Sequence, residues 1–144
     1  MTRILYAGRV APIKDLPTLE KAVKILNLKL IVNSSYSYHD VAKILKSADI
    51  VVVPTLSRAL DKVFLEALAC GVPAIGTDIG YPFMVDKFPQ LIFKAGNPED
   101  LAQKIKWLID NPKESFKITK EAKKYIKENF DLGKLMDRIV NLCR

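Results

Sequence analysis

The run Ile50–Val53 constrains this chain more than any other stretch. It is short, wholly apolar and β-branched, which predicts a buried strand, and Pro54 stops it. A polar loop over residues 55–61 follows. Val63, Phe64, Ala67 and Leu68 then recur at the spacing of one helical face. Gly71 stands where a helix C-cap belongs, with Pro73 just beyond it. A second strand is expected over residues 74–76. A strand–loop–helix–strand unit of this kind closes right-handed and makes a parallel pair. Its loop and helix N-terminus then lie at the carboxyl edge of the sheet, where open α/β folds bind ligands.

The same alternation extends in both directions. Ile4–Ala7 reads as a first strand, ending in Gly8-Arg9-Val10 and a loop over residues 11–15. Pro17 suits the first turn of a helix, and Leu19, Ala22, Val23 and Leu26 form its apolar stripe. A strand is expected over residues 28–32. Ser37-x-x-Asp40 resembles a capping box ahead of Val41, Ile44 and Leu45. Beyond the central unit come a short strand over residues 91–93, a helix over 98–109, and one or two Lys-rich helices reaching Leu142. With 144 residues the chain is one domain of ordinary size. The expected fold is α/β: a Rossmann-like parallel sheet of about five or six strands, helices on both faces, and Ile50–Val53 at its centre.

Three segments carry a family resemblance. Val53-Pro54-Thr55 together with LEALACGVPAI, residues 65–75, resembles the nucleotide-sugar-binding half of the retaining, group 1 glycosyltransferases of GT-B fold. Upstream, Gly8, Arg9 and Lys14 stand where that family has Gly-Arg-x4-Lys; downstream, AGNPEDLAQKI is similar to its Gly-Asp/Asn-Pro-x-x-Leu-Ala segment. The resemblance covers residues 4–108 and implies that residues 1–144 form the C-terminal donor-binding domain. An N-terminal acceptor-binding domain is then expected to be absent, leaving a fragment, a chain that needs a partner, or a reduced protein. A further strand and helix usual in the family have no room between residues 28 and 48.

The resemblance also implies roles. Arg9 and Lys14 would clamp the donor diphosphate and stabilise it as it leaves, and are the expected catalytic cations. Arg can fork onto phosphate oxygens and Lys adds a point charge. Gly8 and the backbone of Lys62, Val63 and Phe64 would complete the nucleotide-sugar site. Glu66, the second Glu of the family's Glu-x7-Glu motif, would accept from the ribose hydroxyls. The first Glu is replaced by Arg58, whose charge is reversed, so the sugar contact departs from the pattern. An unusual, acidic donor sugar or a decayed sugar site would each account for it. Relatives often have Gly-Gly-x-x-Glu in the next loop, of which Gly80, Tyr81 and Met84 keep only the first Gly. Asp15 and Asp61 both stand where relatives carry Gly, and Asp61 is positioned to N-cap the helix.

Other chemistries find little support. Neither GxGxxG nor GxxxxGK[ST] occurs, which argues against dinucleotide and P-loop enzymes. His39, the sole histidine, receives no role, and no cofactor or metal is implied. The two cysteines, Cys70 and Cys143, are expected to be thiols in a reducing compartment. The net charge of +7 gathers on Lys117, Lys120, Lys123, Lys124 and Lys127, which reads as a solvated helix face or as adhesion to an anionic membrane surface. No recognised nucleic-acid motif accompanies these lysines. With no visible secretory signal and no apolar run near the roughly 20 residues of a membrane span, the expected location is cytoplasmic, peripheral at the membrane on the second reading.

Two readings of function stand. The first is the donor half of an enzyme that transfers sugar from a nucleoside-diphosphate sugar with retention, inactive without its partner domain. The second is a non-catalytic nucleotide- or sugar-nucleotide-binding module.

Overall fold

A computed structural model describes residues 2–130, with Tyr38 described by its backbone alone. Five parallel strands, β1 (Ile4–Ala7), β2 (Leu30–Asn33), β3 (Ile50–Val53), β4 (Ala74–Thr77) and β5 (Ile92–Phe93), lie in the order β2-β1-β3-β4-β5. β3 is therefore central. Each of its four residues is buried, as a strand with layers on both faces requires.

Five α-helices flank the sheet: α1 (Leu16–Ile25), α2 (Val41–Lys46), α3 (Lys62–Ala69), α4 (Pro98–Asp110) and α5 (Pro112–Asn129). α1 packs against α4, while α3 packs against α2 and α5. The apolar stripe of α1 is buried at Leu16, Leu19, Ala22 and Val23, and Phe64 to Ala69 of α3 are buried without a break. The expected Lys-rich helices are one helix, α5, as far as Asn129; the remainder of that expectation, including Leu142 and Cys143, lies outside the described residues. Cys70 is disulfide-bonded rather than the expected thiol.

Some boundaries move for identifiable reasons. β2 starts two residues late because α1 ends in a turn that uses Leu26 to Lys29. Asn27 is left-handed there (φ 54°), and the Leu28 amide reaches back to the Val23 carbonyl at 2.9 Å. Ser37 does not form the expected capping box: its hydroxyl donates to the Asp40 carboxylate at 2.8 Å and caps no backbone amide. α4 behaves as its sequence suggests, with Asn97 accepting from the Asp100 amide at 2.9 Å and Pro98 in its first turn.

Candidate functional site

Two loops meet at the carboxyl edge of β1 and β3. The first begins at Gly8, whose φ of 138° disfavours any side chain, and its amide donates to the Asn33 carbonyl at 3.0 Å. The Tyr6 hydroxyl donates to the Arg9 carbonyl, so the loop's first residues are pinned to β1. A 3-10 turn, Pro12–Lys14, then delivers Lys14. Asp15 follows in the left-handed conformation (φ 54°), which explains why Gly is common there and why Asp is tolerated. Its carboxylate accepts from the Thr18 hydroxyl at 2.6 Å and does not line the cavity described next.

The second loop, residues 55–61, is tied to the first where the Leu56 amide donates to the Ile13 carbonyl at 2.8 Å. Beneath it the buried Thr77 hydroxyl donates to the Thr55 carbonyl at 2.7 Å and accepts from the Gly80 amide at 3.0 Å. Tyr81, fully buried, tilts over Phe64 at 4.1 Å between ring centroids and donates its hydroxyl to the Asp61 carbonyl at 2.8 Å. Residues beyond the expected set thus hold the loop's floor and far end. Gly76, where a Cβ would meet the Tyr81 ring, and Gly80, where it would meet Thr55 and Thr77, are the sequence signal for them.

Between the loops lies a cavity of about 300 Å³, lined among others by Gly8, Arg9, Lys14, Thr55, Asp61 and Val63. The Lys14 ammonium sits 2.9 Å from Asp61, and both side chains are largely buried. The same Asp61 carboxylate accepts from the Val63 amide at 3.1 Å, so it is the N-cap of α3, as expected. Arg9 is exposed and, among the described residues, forms no ion pair. Burial, and then the Asp61 charge, push the Tyr6 hydroxyl's pKa up, with Arg9 opposing; Tyr81 is raised strongly by the same two causes in the same order.

Of the expected site residues, Gly8, Arg9, Lys14 and Val63 converge on this cavity. Arg58, Lys62, Phe64 and Glu66 are not part of its lining: Arg58 and Lys62 are exposed, Phe64 is core, and Glu66 is buried on α3. A larger cavity, about 490 Å³, opens at the opposite edge near Thr2, Asp49, Gly71 and Thr119 and holds none of the expected residues. Among the described residues no three His, Cys, Asp or Glu side chains form a group able to hold a metal ion, and no helix is long and apolar enough to cross a membrane.

The sequence model of the family described as glycosyl transferases group 1 matches residues 2–111, which contain both loops and the whole cavity. The chain belongs to the group 1 glycosyltransferases. An uncharacterized glycosyltransferase of Methanocaldococcus jannaschii is 30% identical over 94 residues, 64% of this chain and 27% of its own length. A GDP-mannose-dependent monoacylated α-(1-6)-phosphatidylinositol monomannoside mannosyltransferase of Corynebacterium glutamicum is 27% identical over 115 residues, 74% of this chain and 30% of its own. The chain thus matches under a third of the length of these two relatives. HepE of Anabaena, solved with UDP, superposes with a TM-score of 0.74 at 16% identity, covering 97% of this chain and 48% of that one. The five-stranded parallel sheet and its flanking helices therefore form a group 1, GT-B type glycosyltransferase domain.

Proposed function

We propose that this chain is the donor-binding domain of a glycosyltransferase that transfers sugar from a nucleoside-diphosphate sugar with retention. The observation that carries the reading is the meeting of Gly8, Arg9, Lys14 and the first turn of α3 around one cavity at the carboxyl edge. A departing diphosphate gathers negative charge, and fixed cations beside a helix N-terminus stabilise that charge as it develops. Arg9 supplies a fork for phosphate oxygens at the mouth and Lys14 a point charge deeper in. Glu66 is assigned to the ribose and Arg58 to the transferred sugar, although neither lines the cavity itself. Relatives that depend on GDP-mannose, or were solved with UDP, support a nucleotide-sugar donor and leave the base open.

The acceptor side is assigned to an N-terminal domain or partner subunit. Without it the reacting groups are not held together, and such proximity lowers a barrier by roughly 7–11 kcal/mol. One observation favours the second reading, a binding module without transfer: Arg58 reverses the charge at the sugar position. Calorimetric titration with uridine, guanosine and adenosine, and with their diphosphates, tests the proposal. One diphosphate series should bind and the lone chain should transfer no sugar. Absence of binding by every diphosphate at millimolar concentration overturns the donor-site reading, and transfer by the lone chain overturns the need for a partner.

A further inference from the structure

Asp61 is placed as a bound phosphate would be. Its carboxylate takes the Lys14 ammonium at 2.9 Å through one oxygen and the Val63 amide at 3.1 Å through the other. Those two donors, a cation and a helix-start amide, are the ones an anionic ligand in this cavity would seek. Both side chains line the cavity and are mostly withdrawn from water, so screening does not loosen the pair. Tyr81 fixes the backbone of Asp61 from below through its carbonyl. The backbone is anchored while the carboxylate, on a short side chain, can turn away.

We infer that Asp61 is a built-in counter-anion. In the free protein it saturates Lys14, and a diphosphate binds by exchanging with the Asp61 carboxylate on that ammonium. Affinity for diphosphates is thereby set low, while the affinity for the nucleoside part is untouched. Lys14 is held pre-formed in the cavity instead of wandering in solvent, and Arg9, without an ion pair among the described residues, makes the first contact. This inference rests on the donor-site reading above and deepens it, by naming the residue that sets the strength of the phosphate subsite.

The test compares the whole chain with Asp61→Asn, Lys14→Ala and the double variant, titrated with UDP, GDP and ADP and with the matching nucleosides. Asn caps a helix about as well as Asp, so α3 keeps its N-cap; Asp61→Ser, another good cap, repeats the test with a different shape. Circular dichroism checks that each variant is folded. Asp61→Asn should tighten diphosphate binding about ten-fold or more, the scale of one charge-assisted hydrogen bond. Nucleoside binding should stay within about two-fold. In the Lys14→Ala background the gain should vanish to within about two-fold, because there is no ammonium to release.

Equal or weaker diphosphate binding by both Asp61 variants overturns the exchange and leaves the donor site standing. A gain that survives removal of Lys14 also overturns it, since Asp61 would then act only as a distant repulsive charge. Failure of wild type and every variant to bind any diphosphate overturns both the exchange and the donor-site reading beneath it.

Discussion

Lys14→Ala is expected to weaken nucleoside diphosphates by about ten-fold and to spare nucleosides, as calorimetry would show. The effect sits at the lower end for a charged hydrogen bond because binding already sacrifices the contact with Asp61. Glu66→Gln should do the opposite and weaken nucleosides as much as diphosphates, by roughly ten-fold, if the ribose is its partner. Gln is preferred to Ala there because the side chain is buried and truncation would also leave a void. At this scale the sequence was partly legible. Gly8, Arg9 and Lys14 follow a strand end, and a glycine before two cations in a loop is visible without coordinates. The Lys14–Asp61 pair was not, because it joins residues 47 apart through the meeting of two loops. Asp61 announces itself as a cap; nothing local announces its second partner.

Elements were legible where one face or one run is decisive. Ile50–Val53 is apolar throughout and lies in the centre; α3 carries its stripe between a capping Asp and a terminating Gly. β2 was misjudged by two residues because its limit depends on the left-handed turn at Asn27, which composition does not reveal. Tyr81 gives this scale its sharpest test. Tyr81→Phe keeps the ring over Phe64 but removes the bond to the Asp61 carbonyl, and should cost about 0.5–1.5 kcal/mol in urea denaturation. It should also flatten the alkaline limb of stability. The folded-state pKa of Tyr81 lies well above its unfolded value. Its contribution is therefore complete below the unfolded pKa and is lost as pH rises above about 10, where only the unfolded chain ionises. Gly76→Ala should destabilise by about 1–3 kcal/mol through overpacking. An added Cβ would stand 2.4 Å from Tyr81 Cδ2 and 3.2 Å from Phe64 Cδ1, both in the packed core.

At the scale of the molecule, the β-α-β handedness rule makes the sheet parallel and the apolar run Ile50–Val53 puts β3 at its centre, while the full order β2-β1-β3-β4-β5 comes from the structure. What the rule could not supply is the spatial relation of the two loops, and hence which cations share one cavity. β2 forms the sheet's edge with Ile31 and Val32 partly exposed, where the shortened segment before α2 provides no further strand among the described residues. The carboxyl-edge cavity, rather than the larger opposite one, is assigned here as the nucleotide site. Amide chemical-shift mapping of the ¹⁵N-labelled chain during titration with UDP, GDP and ADP tests that assignment most directly. Saturable shifts at Gly8, Arg9, Lys14, Thr55 and Val63 with at least one diphosphate are the predicted result. Shifts confined to the opposite cavity around Gly71 and Thr119, or none with any of the three, would contradict it.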